Sequence, residues 1–164
     1  MLSSPIKWVG SKRKILPELI SRLPDKITFY SEPFFGSGSL YFAIHDKVEK
    51  AHLSDFNPEL MNFFQSIRRN PHRVMEFIDS FEISEDFYLK LRAVDRAENF
   101  SKIDMFLRAA RFLYLNKTAF NGLWRVNSNN QFNVSWGKYK SPTIYQRDNI
   151  EEVSKSGVYP VFVK

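Results

Sequence analysis

The sequence predicts an α/β fold, and three observations carry that prediction. A strand-like run, Ile27-Thr28-Phe29-Tyr30-Ser31, passes through the turn Gly36-Ser37-Gly38 into a helix-like run, Leu40-Tyr41-Phe42-Ala43-Ile44. A second strand-like run, at residues 50–54, ends in Asp55, 23 positions beyond Glu32. After it come four helical patterns with capping residues and no strand pattern between them. Strand, tight turn, helix and second strand form the unit with which an α/β sheet offers backbone N–H groups to a ligand. The 164 residues suit one domain, and 43% hydrophobic content with 16 Phe supplies its core.

The turn reads Glu32-Pro33-Phe34-Phe35-Gly36-Ser37-Gly38-Ser39. Gly36 and Gly38 let the chain reverse sharply and remove side chains that would keep a ligand at a distance. An acid about 20 positions further on, at the tip of the next strand, is placed to accept hydrogen bonds from ribose hydroxyls. One reading is therefore an adenosine-type pocket. The other is a tight turn with Asp55 serving as a helix cap. The glycine spacing departs from G-x-G-x-x-G, which argues against a dinucleotide-dependent oxidoreductase.

Upstream, Lys7-Trp8-Val9-Gly10-Ser11-Lys12-Arg13-Lys14 precedes a helical pattern with Ile15, Leu16, Leu19, Ile20 and Leu23 on one face. No glycine stands five residues before Gly10, so this is no Walker loop. A solvated helix start is the plain alternative for the basic residues. Downstream, Asn57 is expected to cap a helix that has Pro58 at its first position and ends before Asn70-Pro71. A second helix is expected over roughly residues 71–81. Ser84 is expected to cap a third and Ser101 a fourth, the latter through a capping-box pattern with Asp104. Asn121-Gly122 then marks a turn, and residues 126–134 read as a hairpin with a polar loop. Trp136-Gly137-Lys138-Tyr139-Lys140 interleaves aromatic and basic residues, as surfaces that stack on bases and neutralise phosphates do. A polar hairpin with core aromatics is the competing reading for Trp124 and Phe132.

Charge is unevenly placed. Residues 1–100 carry 14 basic and 14 acidic side chains, residues 101–164 carry 10 and 4, so the net +6 lies in the last third. With a pI near 9.5, that asymmetry points to a polyanion partner. The chain has no Cys, which excludes disulfides and a thiolate nucleophile, and His45, His52 and His72 lack metal-ligand spacing. No apolar run approaches a membrane span, and no signal peptide opens the chain. These features predict a cytoplasmic protein without membrane or metal partners.

Three blocks in order then resemble one family. They are Lys7-Trp8-x-Gly10-Ser11-Lys12; Glu32-Pro33-Phe34-x-Gly36-x-Gly38-Ser39; and Phe112-Leu113-Tyr114-Leu115-Asn116 through Phe120-Asn121-Gly122-Leu123 to Phe132-Asn133-Val134 and Gly137-x-Tyr139-Lys140. Together they resemble the DNA adenine methyltransferase (Dam) family, which methylates adenine N6 with S-adenosylmethionine. The resemblance implies the N-terminal part of a Rossmann-like methyltransferase sheet, with an inserted helical and β-hairpin target-recognition region. It implies cofactor-binding residues 1–56, recognition residues 57–150 and a divergent or truncated tail at 151–164. It places Trp8, Lys12, Phe34, Gly36, Ser37, Gly38 and Asp55 at the cofactor. Lys7, Phe120, Asn121, Arg125, Lys138 and Lys140 fall on duplex DNA, with Phe120 as a wedge.

One departure bears on catalysis. The family's Asp/Asn-Pro-Pro-Tyr/Phe signature, which holds the adenine amine and stacks on the flipped base, has no counterpart, because no Pro-Pro occurs in the sequence. Asn57-Pro58 and Asn70-Pro71 lack the second proline and the aromatic. The expectation is thus an incomplete, inactive methyltransferase from a truncated, split or frame-shifted gene, with a second polypeptide as one source of the missing part. The competing class is a non-catalytic DNA-binding module.

Overall fold

The computed structural model describes residues 2–157. At its centre is a two-stranded parallel sheet, β1 (Ile27–Glu32) beside β2 (Val48–Leu53), in the register Ile27↔Val48, Tyr30↔Ala51 and Glu32↔Leu53. Helix α2 (Ser39–Ile44) makes the crossover between them, which parallel strands require. Gly38 stands at the N-cap of α2 with φ +67°. A Cβ there would lie 2.3 Å from the buried Phe35 ring and 2.7 Å from Phe42, so the position admits only glycine.

Helix α1 (Leu16–Ser21) precedes the sheet and follows a 3-10 turn, Lys12–Ile15, capped by Ser11. Its apolar residues were expected on one face. In the structure Leu16, Leu19, Ile20 and Leu23 are half-buried, while Ile15, outside the helix, is 51% exposed. The face packs against α2, but six residues give too little surface for full burial.

Helices α3 (Pro58–Arg69), α4 (Pro71–Asp79), α5 (Glu85–Ala93) and α6 (Met105–Thr118) follow without an intervening strand. Asn57 caps α3, its Oδ1 accepting from the N–H groups of Glu59 and Leu60, and Ser84 caps α5. The cap of α6 is Asp104, not Ser101: Oδ1 accepts from Phe106 N at 2.7 Å, while Ser101 lies in a separate 3-10 turn. A carboxylate binds those first N–H groups more strongly than a hydroxyl, and Arg73 holds it in place at 2.7 Å.

The core is aromatic. Phe64 of α3 meets Phe35 at 4.9 Å and Phe42 at 5.8 Å, while its neighbour Phe63 stacks on Phe112 of α6 at 5.4 Å. Sheet and helices thus share one interior, with α3 between them. The expected hairpin forms a single bridge, Val126↔Phe132, and a second bridge joins Ala119 to Trp136. Helix α7 (Arg147–Lys155) was not foreseen. It runs through residue 150 and buries Ile150 and Val153. Residues 158–164, the end of the expected divergent tail, lie outside the described residues.

Candidate cofactor cleft and nucleic-acid face

The ends of β1 and β2 converge on a cleft of about 240 Å³ lined by Trp8, Lys12, Phe34, Gly36, Ser37 and Asp55, with Ser11 and Ser39. Gly36 has φ +53°, and a Cβ there would sit 2.9 Å from the Trp8 ring, so the indole lies directly on the turn. Gly38 does not line the cleft; it shapes the turn from behind. Asp55 is already engaged: Oδ2 accepts from Gly36 N at 2.8 Å and Oδ1 from Asn57 N at 3.0 Å. One carboxylate therefore fixes both strand-end turns, and each oxygen keeps acceptor capacity for a ligand.

Lys12 donates to Glu32 Oε1 at 2.7 Å and points at Phe34 O at 3.5 Å. Its ammonium retains a third donor for the cleft. Glu32 is buried, and its other oxygen accepts from Tyr30 OH at 2.9 Å. Burial, then the Glu32 charge, drives the Tyr30 phenol far above its ordinary range. Ser11, Ser37 and Ser39 form a triangle of hydroxyls, with Oγ separations of 2.8, 2.7 and 3.3 Å. Sequence reading missed this cluster, since Ser11 and Ser39 come from separate blocks. It also missed Phe56, fully exposed beside Asp55. Phe34, which lines the cleft, is 80% exposed, whereas Phe56 borders a separate cavity with Trp124 and Val126.

A second face gathers most of the residues expected on DNA. Asn116, fully buried in α6, accepts from Lys7 N at 2.9 Å and donates to Lys7 O at 2.7 Å. The Lys7 side chain lies on Gly122, where a Cβ would stand 2.5 Å from its Cδ, and its Nζ is 5.0 Å from the Tyr139 ring centre. Phe120 N donates to Ser135 O and Gly137 N to Thr118 O, so the turn at 120–122 and the run 135–140 lie side by side. Phe120 is 54% exposed, and Asn121 (φ +53°) and Lys138 (φ +56°) both take left-handed backbone. Lys138 and Lys140 are exposed. Arg125 stands apart from this group, its Nε donating to Asn133 Oδ1 at 2.9 Å.

Lys117, half-buried where Arg13 and residues 3–5 and 143–149 line a cavity, stands near Lys7, and residue type alone gave no sign of it. Burial, then Lys7 and Arg13, pushes its ammonium down to about 8. Among the described residues, no carboxylate forms an ion pair with Lys7, Arg13 or Lys117. Three uncompensated cations this close make a strong anion-attracting field. Among the described residues, no three His, Asp or Glu side chains are grouped to hold a metal ion, and no helix is long and apolar enough to cross a membrane.

Comparison with known proteins bears on this arrangement. The family model described as D12 class N6 adenine-specific DNA methyltransferase matches residues 8–156. The type II methyltransferase M1.LlaDCHI of Lactococcus lactis subsp. cremoris is 41% identical over 151 residues, covering 91% of this chain and 52% of that protein. The type II methyltransferase M.MjaIII of Methanocaldococcus jannaschii is 36% identical, covering 92% of this chain and 57% of its own length. The DNA adenine methylase of Haemophilus influenzae is 34% identical, covering 83% and 47%. The chain spans about half the length of these curated relatives. With nearly all of its described residues matched, the chain belongs to the D12 class N6 adenine-specific DNA methyltransferase family.

Proposed function

We propose that the cleft at the sheet ends binds S-adenosylmethionine and that the face around residues 116–140 binds duplex DNA, for methyl transfer to adenine N6 in the cytoplasm. When bound, the cofactor supplies a methyl group on a sulfonium sulfur. Trp8 covers the cofactor, Lys12 meets its carboxylate, and Gly36 and Ser37 give it a close backbone approach, with Gly38 shaping the turn. Asp55 takes the ribose hydroxyls, and the bare ring of Phe34 flanks the cleft. On the second face Phe120 wedges into the duplex and Asn121 meets base edges. Lys7, Lys117, Arg125, Lys138 and Lys140 meet phosphates or flanking bases. The parallel pair β1–β2 continues as a Rossmann-like sheet, and residues 57–150 form the inserted recognition region, sharing α3 with the sheet. Helix α7 carries the matched region across residue 150 to residue 156 and packs it on α3.

One observation supports the cofactor reading most. Residues from three separate stretches, at 8–12, 34–37 and 55, line a single cleft in which Asp55 and Lys12 each retain unused hydrogen-bonding capacity. Titration calorimetry with S-adenosylhomocysteine tests it. Replacing Asp55 by Ala removes charge-assisted hydrogen bonds worth about 1.5–3 kcal/mol each, so affinity should fall at least tenfold. Equal affinity in wild type and Asp55→Ala would remove the residue from the site.

The absence of Pro-Pro gives the second reading its footing. No Asp/Asn-Pro-Pro-Tyr/Phe signature stands in this sequence to hold and polarise an adenine amine. By themselves these 164 residues act as a module that binds cofactor and DNA, and transfer requires the signature from elsewhere, in the same protein or a second polypeptide.

A further inference from the structure

Besides its backbone bridges to residues 119 and 126, the returning arm of the recognition hairpin is held by side chains from the helical body. Tyr88 OH donates to Val134 O at 2.9 Å and to Ser135 O at 3.2 Å, and Arg92 donates to Val134 O at 3.1 Å. Arg96 donates to Phe132 O at 2.8 Å, and Asp95 Oδ2 accepts from Phe132 N at 2.7 Å. All four residues lie on α5 or on the 3-10 turn Val94–Arg96 that continues it. The grip is anchored in turn. Asp95 Oδ2 also pairs with Arg111 at 2.8 Å, and Arg111, 1% exposed in the middle of α6, donates to Leu91 O and Arg92 O. Ser135 O, held by Tyr88, also receives the N–H of Phe120. The clamp therefore sets both the hairpin and the Phe120 turn against the helical body.

We propose that Asp95 and Tyr88 are positioning residues for sequence discrimination: they fix where Phe120, Asn121 and Arg125 stand, and neither touches DNA. This rests on the DNA-reading role proposed above for those three residues. Phosphate contacts tolerate small displacements because they act through charge, whereas base-edge contacts need hydrogen-bond geometry. Loosening the clamp should therefore erase discrimination and leave general DNA affinity in place. Asparagine at position 95 separates the clamp from mere charge pairing. Its oxygen can occupy the Oδ2 site and still accept from Phe132 N, while its amide faces Arg96 Nη1, which keeps Arg92 O as an acceptor while Nη2 stays on Phe132 O. Both Asp95→Ala and Asp95→Asn leave Arg111 without its counter-charge, but only alanine leaves the Phe132 N–H without its acceptor.

The experiment uses the full chain and a pool of short duplexes with a randomised centre, sequencing what is bound and measuring affinity for the unselected pool. Asp95→Ala should lower enrichment of the preferred sequence about tenfold, the cost of one lost base contact, with pool affinity nearly unchanged. Tyr88→Phe, which keeps the ring and its packing on Trp136, should lower it severalfold. Asp95→Asn should retain it. Hydrogen exchange on the free proteins should show the Phe132 amide accelerated in Asp95→Ala and protected in Asp95→Asn. If Asp95→Ala does not fold, Tyr88→Phe and Asp95→Asn carry the test. Discrimination kept by Tyr88→Phe, or lost in Asp95→Asn with Phe132 still protected, overturns the clamp alone. A wild type that enriches no sequence overturns the base-reading role, and the proposal with it.

Discussion

At the scale of single residues, Lys117 makes the sharpest expectation. Its ammonium, ordinarily near 10.5, is pushed down to about 8 by burial and by Lys7 and Arg13. A phosphate placed against it would favour the charged form, so DNA affinity should fall as pH rises from 7 through 9. Lys117→Arg, charged throughout, should flatten that dependence; a wild type already flat in fluorescence-anisotropy titrations would take Lys117 off the DNA face. The stability effect has the opposite sense. Below about 8 the residue is charged folded or unfolded, and folding carries the burial cost. Between about 8 and 10.5 the unfolded chain keeps a proton that the folded one has released, so this contribution to stability rises with pH. Residues differed in how far the sequence revealed them. Asp55 was legible because its distance from Glu32 and its place at a strand tip are local facts. Lys117 was not, because its neighbours come from residues 7 and 13.

Elements show the same division. β1, β2, α3 and α5 follow from local chemistry: β-rich runs, Asn57-Pro58, and Ser84 before two acids. α6 was legible as a helix but not in its cap, since Arg73 favours Asp104 from 31 residues away. α7 was missed because its inward pair, Ile150 and Val153, is too short a pattern to stand out. It gains its meaning by packing on α3 and α4. The α2 turn offers the test. Gly38→Ala combines left-handed strain with a Cβ driven into the buried Phe35 ring, together about 3 kcal/mol. Thermal denaturation should show roughly a 6–12 °C loss for a chain of this size; an unchanged midpoint would mean that Phe35 yields freely.

Over the whole molecule the two faces meet at the N-terminal arm, where Lys7 and Trp8 adjoin. Purified residues 1–164 should incorporate no labelled methyl group into unmethylated duplex DNA, because the proposed cofactor and base groups act as a unit and the sequence carries no Pro-Pro signature. Turnover above a no-enzyme control would require another acceptor for the adenine amine. The Asn116 bonds to the Lys7 backbone, 109 residues apart in sequence, have a further consequence in time. On the ribosome the arm emerges first, yet the amide that fixes it belongs to the C-terminal half of α6. Trp8, the wall of the cleft adjoining Lys7, must wait unplaced while more than a hundred residues are added. A nascent chain stalled before residue 116 would carry the glycine turn and Asp55 and still have no finished pocket. The first wall to be synthesised is the last to be set.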